Sequence, residues 1–220
     1  MYHVKNNNLE SFQEFDAPYS KNIYFKKKVS EFVKEALSND EFYLNYMPIY
    51  DTKTLEIKAF EVLLRCSSEN MKGTGPDVFI PIAEEYNLIR AIDLWVIERT
   101  FKNINTNYEF LAKNPITFCI NISSEELRNP LFKKNLVQLI SKYDIPPEWI
   151  ELELTETSFV EIDKNGILTS TEVKKSLCSF CDKEAIRVVS KMPKWNPAIK
   201  NKIKVGCKID IPIEFKIRYK

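Results

Sequence analysis

The chain has 220 residues, 44% hydrophobic and 29% charged, with 32 Lys and Arg against 31 Asp and Glu for a formal net charge of +1. That composition is of the ordinary globular kind and argues against disorder, while the balanced charge gives no electrostatic case for a nucleic acid polymer or an anionic membrane. His3 is the sole histidine, which argues against a histidine triad or zinc centre; with no membrane-length apolar run and no secretory start, the expectation is a cytoplasmic protein with its five cysteines reduced.

Residues 1–21 are short and polar and read as a frayed tail. From Asn22 to Ser38 the residues Phe25, Val29, Phe32, Val33 and Ala36 follow helical spacing, which predicts a linker helix over 22–40. Lys26, Lys27, Lys28 and Lys34 read as its solvated face rather than as an anion patch. Phe42 to Tyr50 and Leu55 to Arg65 are predicted strands. Gly73-Thr74-Gly75-Pro76 is a loop too short and proline-bounded to open a phosphate-cradling helix. Val78 to Tyr86 and Arg90 to Asn103 are predicted helices, the second with a core stripe of Ile92, Trp95, Val96 and Thr100. Ile116 to Ser123 is a strand, Ser123-x-x-Glu126 a capping box, Leu136, Leu139 and Ile140 a helical face, and Trp149 to Glu156 another strand. Strands alternating with helices predict parallel βαβ units.

The period of two along these strands selects candidate site residues. It puts Glu61, Leu63 and Arg65 on one face, Asn121 opposite Phe118, Ile120 and Ile122, and Glu151, Glu153 and Thr155 opposite Ile150, Leu152 and Leu154. Carboxylates and an amide oxygen converging at neighbouring strand ends suit a hard cation such as Mg²⁺, which prefers oxygen ligands and retains waters that can attack phosphate.

Four motifs in order, Glu61-Val62-Leu63-Leu64-Arg65, Phe79-Ile80-Pro81-Ile82-Ala83-Glu84-Glu85, Asn121-Ile122-Ser123 and Glu153-Leu154-Thr155-Glu156, resemble the EAL domain of bacterial cyclic-di-GMP phosphodiesterases. The resemblance implies part of a (β/α)₈ barrel. It also implies Glu61, Asn121 and Glu153 as ligands of Mg²⁺ or Mn²⁺, Arg65 on the phosphate or guanine of the substrate, and Glu156 as the support of an active-site loop. The tail over 1–21 resembles the end of a GGDEF domain. Departures are Val62 in the signature triplet and Met47, where the family usually has a glutamine that contacts the nucleotide.

Beyond Glu156 the family pattern stops. Its Asp-Asp pair, its lysine and its later glutamate are missing, and no Asp-Asp pair occurs anywhere in the chain. Ser158 to Ile162, an Asn165-Gly166 turn and Ile167 to Lys174 predict a hairpin. Asp182 caps a predicted helix with a face of Ala185, Val188, Val189 and Met192, and the alternating segment Ile203 to Tyr219 predicts one long strand or two. This ββαβ order, with Asp182 to Val189, Met192 to Pro197 and Ile211 to Phe215, resembles the C-terminal domain of TonB-type energy transducers, which act in the periplasm and bind partners through an edge strand. Cys178 and Cys181 read as two small corner residues rather than a zinc or redox pair.

The fold expectation is therefore α/β: about half of a TIM-type (β/α) barrel of EAL type over 41–156, then a small α+β TonB-like ββαβ domain over 157–220. Such a half-barrel leaves an open edge, to be covered by the small C-terminal domain or by a second copy, and otherwise prone to self-association. The function expectation is a truncated, catalytically inactive phosphodiesterase-like protein with at most residual binding of metal or cyclic-di-GMP. The alternatives are an active enzyme completed by a second chain, and a partner-binding module that uses an open edge strand.

Overall fold

The computed structural model describes residues 17–176 and 179–218. The chain forms two compact units, Met1–Tyr43 with Arg65–Leu88, and Leu44–Leu64 with Ile89–Lys220. No helix among the described residues is long and apolar enough to cross a membrane.

In the first unit, α1 (Ala17–Ser38) packs on α2 (Pro76–Glu85). Helix α1 starts within the predicted tail, whose residues 1–16 lie outside the described part. Val29, Val33 and Ala36 are buried as their spacing predicts, but Phe25 is exposed, because the buried stripe is narrower than the five apolar residues suggest. Pro76 opens α2, where its missing N–H costs nothing. Phe42 and Phe79 place their ring centroids 5.8 Å apart.

Strands β1 (Phe42–Tyr50) and β2 (Ile57–Cys66) run from one unit into the other, so Phe42, Tyr43, Arg65 and Cys66 belong to the first. In the second unit follow α3 (Ile89–Thr106), α4 (Tyr108–Lys113), β3 (Thr117–Asn121), α5 (Ser124–Leu127), α6 (Phe132–Tyr143) and β4 (Ile150–Ile162). Strands β2, β3 and β4 are parallel neighbours, as the alternating pattern predicts. Phe118 and Ile120 are buried on the face that carries Val62 and Leu154, and Ile92, Val96, Ile97, Thr100 and Phe101 of α3 are buried. Trp95 departs from its predicted core place: it is half-buried, with the Arg99 guanidinium 4.9 Å from its ring centroid, an amphipathic pairing at the surface.

The remaining elements are β5 (Leu168–Lys175), α7 (Ser179–Ser190), a small sheet of β6 (Ala198–Lys200) and β7 (Ile203–Val205), and β8 (Cys207–Arg218). Strand β4 does not end at Glu156; it continues for 13 residues and is shared by three partners. On one edge β3 pairs with it over Ile150–Glu153 and β5 over Thr157–Ile162. Along its other edge β8 runs antiparallel from Glu151 to Ile162. Of the coverings expected for the barrel edge, the structure shows the C-terminal portion at β4, where β8 satisfies the backbone groups that a missing barrel strand would leave unpaired. The resulting sheet is open, in the order β1-β2-β3-β4-β5 with β8 on β4.

Alternation explains why β8 fits. Cys207, Ile209, Ile211, Ile213, Phe215 and Ile217 fall on one face, and Lys208, Asp210, Glu214 and Lys216 on the other. Of the apolar face, Cys207, Ile209, Ile211 and Ile213 join Val160, Ile162, Val189, Leu168 and Trp195 in a core. In α7, Ala185 and Val189 are buried and Val188 remains partly exposed at 37%, as does Met192 just beyond the helix end at 36%. Cys181 is disulfide-bonded, its partner lying outside the described residues, whereas Cys66, Cys119 and Cys207 are free. This corrects the reading of Cys181 as a mere small residue and the expectation of five reduced thiols. Cys178, the other member of the expected corner pair, is outside the described residues.

Candidate functional site

The parallel register aligns Glu61, Cys119 and Glu151 in one row and Asn121 with Glu153 in the next. All five share the sheet face that would line the interior of a closed barrel. Asn121 donates from Nδ2 to Glu61 Oε1 at 3.4 Å. Two of the three predicted ligands therefore meet directly, and the third, Glu153, is the neighbouring-strand partner of Asn121. Glu151 and Glu153 are 1% and 5% exposed. Arg65, half-buried, lies near the end of β2 in the first unit. Glu156 pairs with Ile213 in the ladder, and its side chain lies outside those described.

Two buried carboxylates need a counter-charge. The antiparallel register of β8 puts Lys216 directly opposite Glu153. Lys216 Nζ is 2.5 Å from Glu153 Oε1, 2.9 Å from Glu151 Oε1 and 3.8 Å from Glu214 Oε1. Hydrogen bonds to Glu153 and Glu151 hold the ammonium above the ordinary lysine range. Glu214 is held above the ordinary carboxylate range, first by its hydrogen bond to Glu153 and then by burial. The Cys119 thiol lies 3.8 Å from Glu151 Oε1, and burial together with the charges of Glu153 and Glu151 pushes it up to about 12, so it stays neutral.

Cys119, Glu151 and Glu153 each bring one ligand-type atom within 4.8 Å of the others. As they stand, these residues do not fit a hard divalent cation. Oε1 of Glu151 and Oε1 of Glu153 already hold an ammonium, Asn121 turns its amide N–H₂ to Glu61, and the third member of the close group is a soft, protonated sulfur.

A second polar cluster supports the loop after β3. Ser123 caps α5 by accepting from Glu126 N at 3.1 Å, half of the predicted capping box. The carboxylate of fully buried Glu126 does not return to the cap; it accepts from Arg90 Nε at 3.1 Å and from Asn129. Asp93 on α3 accepts from both Ser123 N and Ser123 Oγ, at 3.1 and 2.5 Å.

Lys216, Cys119 and Glu214 were not among the predicted site residues. Alternation alone puts Cys119 beside Asn121, so that residue was available to the same rule. Lys216 was not, because its partner Glu153 is 63 positions away and nothing local fixes which strand β8 joins.

The EAL domain family model matches residues 31–177, and the model of the Gram-negative bacterial TonB protein C-terminal matches residues 157–217. The chain is 32% identical over 157 residues to the biofilm architecture maintenance protein MbaA of Vibrio cholerae, covering 71% of this chain and 20% of that one. It is 30% identical over 179 residues to the cyclic di-GMP phosphodiesterase PdeF of Escherichia coli, covering 80% of this chain and 23% of the relative. The chain thus spans about a fifth of the length of these relatives. Among solved structures, the EAL enzyme Bd1971 in its cGMP-bound form superposes with a TM-score of 0.56 at 26% identity, over 70% of this chain and 41% of that one. The same enzyme with cAMP and cyclic-di-GMP bound also gives 0.56, at 28% identity over 63% and 39%.

Proposed function

Because the chain belongs to the EAL-domain family, we propose that it is a catalytically silent EAL-type protein of cyclic-di-GMP signalling, one that does not hydrolyse the dinucleotide and retains at most weak binding of it. The observation that carries this reading is the antiparallel pairing of β8 along β4 from Glu151 to Ile162. The next parallel strand of a (β/α) barrel would take that edge. With the edge taken, no further strand can add there, and neither this chain nor a second copy carries the family's Asp-Asp pair; phosphoryl transfer depends on charged groups placed in line around the phosphate.

On this reading residues 1–21 are the end of a GGDEF domain, 22–40 a linker helix, 41–156 the truncated EAL portion and 157–220 the TonB-like portion. By the family resemblance Arg65 would take a phosphate or guanine and Glu156 would support an active-site loop, while Glu61, Asn121 and Glu153 are relics of the metal set. The test is incubation of the purified chain with cyclic-di-GMP and Mg²⁺ or Mn²⁺, followed by analysis for the linear dinucleotide. No product is expected; product that disappears in Glu61→Ala would overturn the reading.

One observation favours a second reading, of partner binding through the TonB-like portion. Strand β5 ends the strand path among the described residues, so its outer edge offers backbone groups to an extended peptide. Slower amide exchange along β5 on adding such a peptide would support it.

A further inference from the structure

Lys216 comes from the segment that matches the TonB-type model, yet its ammonium is held by Glu151 and Glu153, which come from the segment that matches the EAL model. We propose that Lys216 is the resident cation of this carboxylate pair, a tethered ammonium that occupies the pair in place of a divalent ion and keeps such ions out while β8 is docked. The proposal rests on the reading of the chain as catalytically silent, and it assigns the agent that closes the site.

Three features of the geometry support it. First, the side chain needs no unusual reach: Glu153 and Lys216 are direct cross-strand partners, so both side chains leave the sheet on one face at the spacing of a paired ladder. Second, Glu151 and Glu153 are almost fully buried, whereas the Lys216 side chain keeps 41% exposure. The cation therefore caps the carboxylates from the solvent side, across the route an incoming ion would take. Third, the competitor is covalently attached. A cation fixed on the neighbouring strand acts at an effective concentration of the order of millimolar or more, which a free ion must exceed to displace it. The same strand repeats the pairing farther along, where Lys208 Nζ lies 2.5 Å from Glu161 Oε1 of its ladder partner, but there both side chains are open to solvent, at 67% and 36% exposure.

The test uses the full chain and Mn²⁺ alone, with the free ion followed by electron paramagnetic resonance. The wild-type protein should show no saturable site that depends on Glu153. Lys216→Met keeps the apolar stem and removes the charge; it should gain one site, at least about tenfold tighter than anything in the wild type, and adding Glu153→Gln should abolish it. Lys216→Arg should behave as wild type. Circular dichroism establishes that each variant is folded. A saturable Mn²⁺ site in the wild-type chain that Glu153→Gln abolishes would overturn the proposal, and this arm holds even if Lys216→Met fails to fold. A folded Lys216→Met that binds no Mn²⁺ would overturn it equally. Because the readout is the ion without nucleotide, failure here leaves the hydrolysis result untouched, and the reverse is also true.

Discussion

A proton on Asp93 is the residue-scale feature most open to measurement. Burial pushes this carboxyl up to about 7 against the opposing Ser123 hydrogen bonds, and Glu126 and Glu125 add to the rise. The folded chain thus binds this proton more tightly than the unfolded chain, so the contribution is complete below about pH 4 and fades as the pH rises through about 7. The wild-type urea midpoint should therefore fall between about pH 4 and pH 8 relative to that of Asp93→Asn, which carries no titrating group there. Parallel curves would mean that Asp93 is ionised in the fold. Gly166 is the other residue with a sharp expectation. Its φ is +81°, and an added Cβ would stand 1.9 Å from Trp195 O, where Trp195 N in turn donates to Gly166 O. Gly166→Ala should cost more than ~1 kcal/mol in chemical denaturation, and Gly73→Ala, at φ +79° with open space around it, no more than about that. At this scale the strand period sufficed to put Glu61, Asn121, Glu151 and Glu153 on one face of the sheet, because facing direction is a local property, whereas only the family resemblance singled out Glu61, Asn121 and Glu153.

At the scale of elements, β4 carries the largest departure from what the sequence suggested. The Asn165-Gly166 turn was legible, and Asp163 secures it by accepting from Asn165 N and Ile167 N at 2.8 Å each. The continuity of the strand through Thr157 was not legible as such, since neither glycine nor proline marks the passage and the two family patterns change over there. Leu154, 2% exposed, sits in this passage opposite Phe215. Leu154→Ala should remove about 2–5 kcal/mol. Amide exchange should show the loss on both sides of the passage, at Ile120 as well as at Val160. A loss confined to one side would mean that β4 joins two independently stable parts.

For the molecule as a whole, incompleteness of the barrel followed from the missing motifs and a C-terminal covering of its edge was one expectation, but which strand closes it and in what register was not legible, because pairing between distant strands is set by tertiary fit rather than by local pattern. Removing residues 207–220 should bare the β4 edge from Glu151 to Ile162, and light scattering should then report self-association of a chain that is otherwise less prone to it. The shared strand has one more consequence, which is arithmetical. Leu152, Leu154, Val160 and Ile162 all stand at even positions and Glu151, Glu153 and Glu161 at odd ones, on either side of the changeover. Inserting one residue between Leu154 and Val160 would exchange these sets downstream, sending Glu161 into the apolar core and Val160 into water. Inserting two would preserve them. A join made inside a strand is thus lenient about length and strict about parity, so the two portions of this chain can drift apart only in steps of two residues.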